Sequence, residues 1–278
     1  MSLASALDAA LRGVPELRPG EVWLAGAGPG DPALLTLHAL AGLDQAEIVL
    51  HDSLVDPRVL ALARPDARRI FAGKRGGQPS THQGDITAQL VGLAREGARV
   101  LRLKGGDPYV FGRGAEEALA LAEEGIPFRV IPGITSGLAS LTMGLMPATV
   151  RGINRAILLA TGHGITDGNN DHDLDWAQIA RLGQPIVLYM AIARLPAITE
   201  ALLAGGLPPD TAAAVIGSAT MLEERVVVST LARLPDDIAR CGISAPAIVA
   251  IGEIVRMRAK LLALLPQLGK EAPPWPPG

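Results

Sequence analysis

Short apolar runs alternate with amphipathic, helix-compatible stretches along most of the chain, and no other property of the sequence restricts the fold as tightly. In the first half the runs are VWLAGA (22–27), EIVLHD (47–52), ARRIFAG (67–73), ARVLRLKGG (98–106) and FRVIPG (128–133). Between them, ITAQLVGLAREG (86–97) and GAEEALALAEEG (114–125) repeat apolar residues at intervals of three and four. Gly97 and Gly125 stand where helix C-caps are expected. Strands that read as nearly continuous apolar runs belong to parallel sheets covered on both faces. A second series follows: AILLATG (156–162), PIVLYM (185–190), AAAVIG (212–217), RVVVSTL (225–231) and AIVAIGEIV (247–255). Two of these lie close together, which predicts an antiparallel hairpin in a mixed second sheet. The expectation is an α/β protein of two α/β domains. Its divisions are an N-terminal extension (1–19), a first domain (20–134), a linker helix and loop (135–154), a second domain (155–265) and a Pro-rich tail (266–278).

Composition removes several classes of function. The 278 residues are 49% hydrophobic, enough for well-buried cores. Net charge is −3 and aromatic residues are 3%, without a basic stripe, so no nucleic-acid partner is expected. One cysteine, Cys241, excludes an internal disulfide and any Cys-rich zinc site. The opening MSLASALDAALRGVPELRPG lacks the basic and apolar regions of a signal peptide, and no apolar stretch approaches the roughly 20 residues that span a bilayer. A cytoplasmic protein without a membrane or metal is expected.

Ligands of open α/β sheets sit beyond the carboxyl ends of the strands, and three loops there are unusual. GAGPGD (26–31) resembles a dinucleotide fingerprint in Gly26 and Gly28, with Asp52 near the place of a ribose-binding acid. Yet Asp31 occupies the third glycine's place and Pro29 carries no N–H, both unfavourable to a pyrophosphate. Asp31 and Pro32 also read as the N-cap and first residue of a helix. In KGGDPYVFGRGAEE (104–117), Gly105 and Gly106 let a flat ligand lie on the main chain, and Asp107 accepts hydrogen bonds or forms a turn before proline. PGITSG (132–137) sets Thr135 and Ser136 at a helix start.

Taken in order, GAGPGDPALLTL, GGDPYVFGRGAEE, PGITS, LYM and PAIVAIGEIV resemble the tetrapyrrole methylase family over residues 20 to 258. The resemblance is strongest to the branch that methylates uroporphyrinogen III at C2 and C7, giving precorrin-2 for corrin and sirohaem synthesis. It implies a homodimer with S-adenosyl-L-methionine in the interdomain cleft, released as S-adenosyl-L-homocysteine, and a small-molecule tetrapyrrole as substrate. Carried over by position, the cofactor contacts are Pro29, Gly105, Gly106, Asp107, Val110, Thr135, Ser136, Met190 and Ala219. Ala219 replaces the family's usual glycine, and His51 its frequent tyrosine. The acid–base positions match Asp52 and Lys74. Uroporphyrinogen carries eight carboxylates, for which Arg113, Arg151 and Arg155 are the candidate partners.

Other chemical groups are set aside. TDGNNDHDLD (166–175) lacks the glycine and glutamate of a calcium loop, having His172 and Gln178 at those places when counted from Asp167. His38 reads as a structural histidine within a helix, and His82 and His163 as loop residues without a nucleophile or metal partner. Met143 and Met146 read as core, and RMRAKLLALLP (256–266) as a packing or dimer helix. The alternatives are a later precorrin methyltransferase, a nicotinamide-dependent reductase using Gly26, Gly28 and Asp52, and a non-catalytic binding protein.

Overall fold

The computed structural model describes residues 2–73, 83–162 and 174–264. By internal contacts the chain divides into two compact units, Met1–Ser136 and Gly137–Gly278.

The first unit holds five strands, β1 (Val22–Gly26), β2 (Ile48–His51), β3 (Arg68–Phe71), β4 (Val100–Lys104) and β5 (Phe128–Ile131), in the order β3-β2-β4-β1-β5. All pairs are parallel; Val22 lies opposite both Val100 and Phe128. Helices α1 (Leu3–Leu11), α2 (Leu37–Gln45), α3 (Pro57–Leu60), α4 (Gln83–Arg95) and α5 (Gly114–Glu123) connect or precede them. Side chains alternate across β1 because the strand period is two. Trp23 and Ala25 join Ala39 and Leu43 of α2 in one core cluster. Val22 and Leu24 join Leu90 of α4 and Leu121 of α5 in another, on the opposite face. This is the doubly covered parallel sheet that the apolar runs predict. Burial of each large aliphatic side chain contributes about 1.5–3 kcal/mol.

The second unit begins within α6 (Ser136–Met143) and contains β6 (Leu158–Thr161), α7 (Trp176–Arg181), β7 (Ile186–Tyr189), α8 (Leu195–Ala204), β8 (Ala212–Gly217), β9 (Arg225–Thr230), α9 (Leu234–Cys241), β10 (Ala247–Ile251) and α10 (Arg256–Leu264). Its sheet runs β6-β7-β10-β8-β9. Only β6 and β7 pair in parallel; β8 and β9 form the expected hairpin, with Ala212 opposite Thr230.

Two local readings change. Asp31 does cap, accepting from the amide of Ala33 at 2.8 Å, but what it caps is one 3-10 turn, Pro32–Leu34. Leu35 is extended, and α2 starts afresh at Leu37 under a Thr36 cap. His38 is exposed on α2 and not a core residue. Met146 is fully buried, as expected, and Met143 partly so.

Candidate functional site

Loops leaving β1, β4 and β5 meet at the carboxyl edge of the first sheet. The Ala27 amide donates to the Lys104 carbonyl at 2.7 Å, and Gly28 and Gly106 exchange hydrogen bonds at 3.1 and 2.7 Å as an isolated antiparallel bridge. Such approach requires glycine. A Cβ on Gly26 would lie 2.5 Å from the Gly106 oxygen and 2.6 Å from the Gly133 Cα. Gly106 itself adopts φ +68°. Asp107 locks the arrangement: its Oδ2 accepts from the Gly133 amide at 3.0 Å and its Oδ1 from the Tyr109 amide at 2.8 Å.

The same contacts decide the electrostatic character of the first loop. A pyrophosphate site needs free backbone donors. Here Gly28 N–H is engaged by Gly106, Pro29 has none, and the Asp31 carboxylate stands beside them. The loops therefore offer close, bare main chain to a ligand without a phosphate.

Asp52 follows β2. Its Oδ1 accepts from the Leu54 amide at 2.9 Å, and its Oδ2 from the Gly105 amide at 3.3 Å. It is half-buried at the rim, beside exposed Leu54. His51 lies edge-on to Phe71, ring centroids 5.7 Å apart, with Nδ1 3.1 Å from the Asp52 carbonyl oxygen. Beneath the loops sits a charged cluster that the sequence reading missed. Glu117 Oε1 of α5 accepts from Arg102 Nε and Lys104 Nζ of β4, each at 3.1 Å, and all three side chains are buried. Burial, and then the like charge of Arg102, push the Lys104 ammonium below the ordinary amine range, against the opposing pull of Glu117 and Asp52. Two cations at alternate positions of an otherwise apolar strand, in RVLRLKGG, were the available signal.

The remaining expected residues are distributed as follows. Pro29 and Val110 are half-buried, Thr135 is buried, and Ser136 opens α6. Arg113 sits at the head of α5 with φ +58° and grips Glu116 through Nε at 2.9 Å and Nη2 at 2.6 Å. That hydrogen bond holds Glu116 below the usual carboxylate range. Lys74, His82 and His163 lie outside the described residues, as does most of the 166–175 stretch; Asp175 caps α7 through the Gln178 amide.

In the second unit, Met190 follows β7 with φ +51° and is exposed. Ala219 is buried between Ser218 and Thr220, both at positive φ, where the Thr220 amide donates to Glu224 Oε2 at 2.8 Å. Strain of this kind persists where the surroundings enforce it. Arg151 and Arg155 are exposed, on a loop pinned by Asn154, which accepts from the Val150 amide and donates to the carbonyls of Ala148 and Ala156. Tyr189, another residue not singled out from sequence, accepts from the Gly137 amide at 3.1 Å through its hydroxyl. Among the described residues no group of three or more His, Cys, Asp or Glu could hold a metal ion, and no helix is long and apolar enough to cross a membrane.

Comparison with known proteins places this geometry. Residues 21–235 match the Tetrapyrrole (Corrin/Porphyrin) Methylases. The chain is 51% identical over 255 residues to a uroporphyrinogen-III C-methyltransferase of Sinorhizobium sp, covering 92% of this chain and 91% of that one. It is 47% identical over 261 residues to a siroheme synthase of Methylococcus capsulatus, covering 93% of this chain and 54% of that protein, so it spans about half of that longer relative. A crystal structure of a Thermus thermophilus uroporphyrin-III C-methyl transferase complexed with S-adenyl homocysteine superposes with a TM-score of 0.72, at 38% identity, covering 85% of this chain and 99% of that one.

Proposed function

The chain belongs to the tetrapyrrole (corrin/porphyrin) methylase family, and from that premise we infer that it transfers methyl groups from S-adenosylmethionine to carbons C2 and C7 of uroporphyrinogen III. The product is precorrin-2, on the route to sirohaem and cobalamin. One observation of the structure supports this reading above others: Gly28 N–H is committed to the Gly106 carbonyl. The first loop thus suits a donor that has no phosphate and carries a cationic sulfonium, and it disfavours a nicotinamide dinucleotide.

S-adenosylmethionine supplies an electrophilic methyl group that an electron-rich pyrrole carbon attacks in line. The protein's part is to align the two and exclude water, and orientation alone supplies roughly 7–11 kcal/mol. Gly105, Gly106 and Asp107, with Pro29, Val110, Thr135 and Ser136, are the proposed donor contacts of the first unit; Met190 and Ala219 complete the set. Asp52 is proposed to orient a pyrrole N–H or to stabilise the positive charge that develops there. Lys74 keeps its proposed acid–base role. Arg113, Arg151 and Arg155 are proposed to meet substrate carboxylates, Arg113 while shared with Glu116. The reading includes a cytoplasmic homodimer, with the linker between domains over 135–154.

Calorimetry with S-adenosylhomocysteine and with NADH tests the donor. The expected outcome is binding of the first and not the second; NADH binding alone overturns the reading. Transfer of labelled methyl to uroporphyrinogen III then separates an enzyme from a binding protein. Asp52→Ala is expected to keep the affinity for S-adenosylhomocysteine while turnover falls, and unchanged turnover removes Asp52 from its proposed place.

A further inference from the structure

Leu54 is 60% exposed, yet its backbone is tied down on both sides. Exposed leucines are common on protein surfaces, and exposure alone says little. Here the amide of Leu54 donates to Asp52 Oδ1 at 2.9 Å, while Asp52 Oδ2 accepts from the Gly105 amide at 3.3 Å. One carboxylate thus joins the loop after β2 to the loop after β4. A Cβ on Gly105 would stand 2.7 Å from the Leu54 Cβ and 3.5 Å from the Leu54 carbonyl oxygen. Gly105 is not among the glycines with positive φ, so its missing side chain serves this approach and not an unusual backbone. On the other side, Val55 is buried in the core cluster of Trp23 and Ala25, and Asp56 caps α3 through the Arg58 amide at 2.7 Å. Between these anchors the Leu54 side chain is left facing water, next to the Asp52 carboxylate.

We propose that Leu54 is a substrate-binding residue: held against Gly105 beside Asp52, it packs on the apolar ring face of the tetrapyrrole. This rests on the reading that uroporphyrinogen III is methylated at the carboxyl edge of the first sheet. The substrate's charges lie on peripheral carboxylates, which call for cations. Its pyrrole faces are carbon, and cations do nothing for them; an aliphatic side chain takes that surface out of water. Leu54 is fixed before the substrate arrives, so little freedom is lost on contact. The carboxylate of Asp52 and the side chain of Leu54 then address two parts of one pyrrole, the N–H and the ring face. The sequence shows Leu54 only as one apolar residue in a loop, because its tie to Gly105 spans two strands of the sheet.

The test is steady-state kinetics of Leu54→Ala with uroporphyrinogen III at saturating S-adenosylmethionine, with calorimetry against S-adenosylhomocysteine and thermal unfolding alongside. KM for uroporphyrinogen III is expected to rise about tenfold with kcat nearly unchanged, as loss of uniform binding requires. S-adenosylhomocysteine affinity and the melting temperature are expected to stay close to wild type. Leu54→Met keeps an apolar side chain of similar volume and is expected to restore most of the wild-type KM. Leu54→Asp sets a charge against a polyacid and is expected to raise KM beyond Leu54→Ala. Because the lost contact is apolar, KM in Leu54→Ala is expected to keep the wild-type dependence on salt. If Leu54→Ala fails to fold, Leu54→Gln, which keeps the bulk beside Gly105, carries the same comparison. An unchanged KM, a loss confined to kcat, or a fall in S-adenosylhomocysteine affinity that matches the rise in KM overturns the proposal. A change of sedimentation in Leu54→Ala assigns the side chain to a second copy of the chain and overturns it too. A wild type that binds S-adenosylhomocysteine but does not methylate uroporphyrinogen III overturns the reading of the substrate itself, and the proposal falls with it.

Discussion

At the scale of single residues, glycines and aspartates stood out in the sequence as places for a ligand, and the structure gives each a packing duty as well. Gly26, Gly106 and Gly133 are bare because three loops touch there, which one chain segment read by itself does not reveal. A Cβ on Gly133 would stand 2.8 Å from the Gly26 Cα and closer still to the Gly106 oxygen. Gly133→Ala is therefore expected to cost about 1–3 kcal/mol, as overpacking does, and to weaken S-adenosylhomocysteine binding in calorimetry. Gly92 of α4 has nothing within 4 Å of its Cβ position, so Gly92→Ala is expected to stabilise by about 0.5–1 kcal/mol. Asp107→Ala removes the acceptor for the Gly133 and Tyr109 amides. The expected result is a folded protein whose affinity for S-adenosylhomocysteine drops, measured by calorimetry; unchanged affinity shows that the lock does not serve the ligand. The Lys104–Glu117 contact was legible only in part. Charged residues in an apolar strand were visible, but a partner 13 positions away on α5 is fixed by helix–sheet packing and not by spacing.

Elements were easier to read than residues, for a physical reason. A strand buried on both faces must be apolar at successive positions, and β1, with all five residues buried, is visible without its neighbours. Short turns are less distinct: Asp-Pro favours the start of a 3-10 turn as much as that of an α-helix, and extended Leu35 could not be foreseen from residues 31 and 32. The clamp between β9 and α9 was equally hidden. There the Ser229 hydroxyl donates to Asp237, which also pairs with Arg240. That hydroxyl first, and then the charges of Arg240 and Arg233, hold Asp237 below the usual carboxylate range, against its desolvation. A depressed carboxylate pKa in the folded state adds stability that is present above the unfolded value and lost as pH falls through the folded one. Acid unfolding monitored by circular dichroism should reflect this loss, and Asp237→Asn should flatten the stability profile below the ordinary aspartate range while leaving neutral pH less stable. An unchanged acid limb removes the clamp from the account.

For the molecule as a whole, net charge sets a problem that the proposed substrate must solve. The chain carries −3, and uroporphyrinogen is a polyacid, so the protein's average field repels it. Productive binding must then come from local cations. Arg151 and Arg155 are exposed on a loop held rigid by Asn154, and among the described residues no hydrogen bond or ion pair is seen to engage their guanidinium groups, whereas Arg113 is already shared with Glu116. Contacts of this kind are screened over about 8–10 Å at ordinary ionic strength. The donor is expected to behave differently, because the contacts proposed for it in the first unit are largely main chain, without full charge pairing. Raising salt from about 0.05 to 0.5 M, which shortens that screening length several-fold, is therefore expected to raise KM for uroporphyrinogen III steeply while S-adenosylhomocysteine affinity changes little. In Arg151→Ala/Arg155→Ala the KM should start high and lose most of its dependence on salt, with kcat retained, since uniform binding and not transition-state stabilisation is removed. A KM that ignores salt in the wild type, or a double variant with the wild-type slope, places the anion contacts elsewhere on the chain.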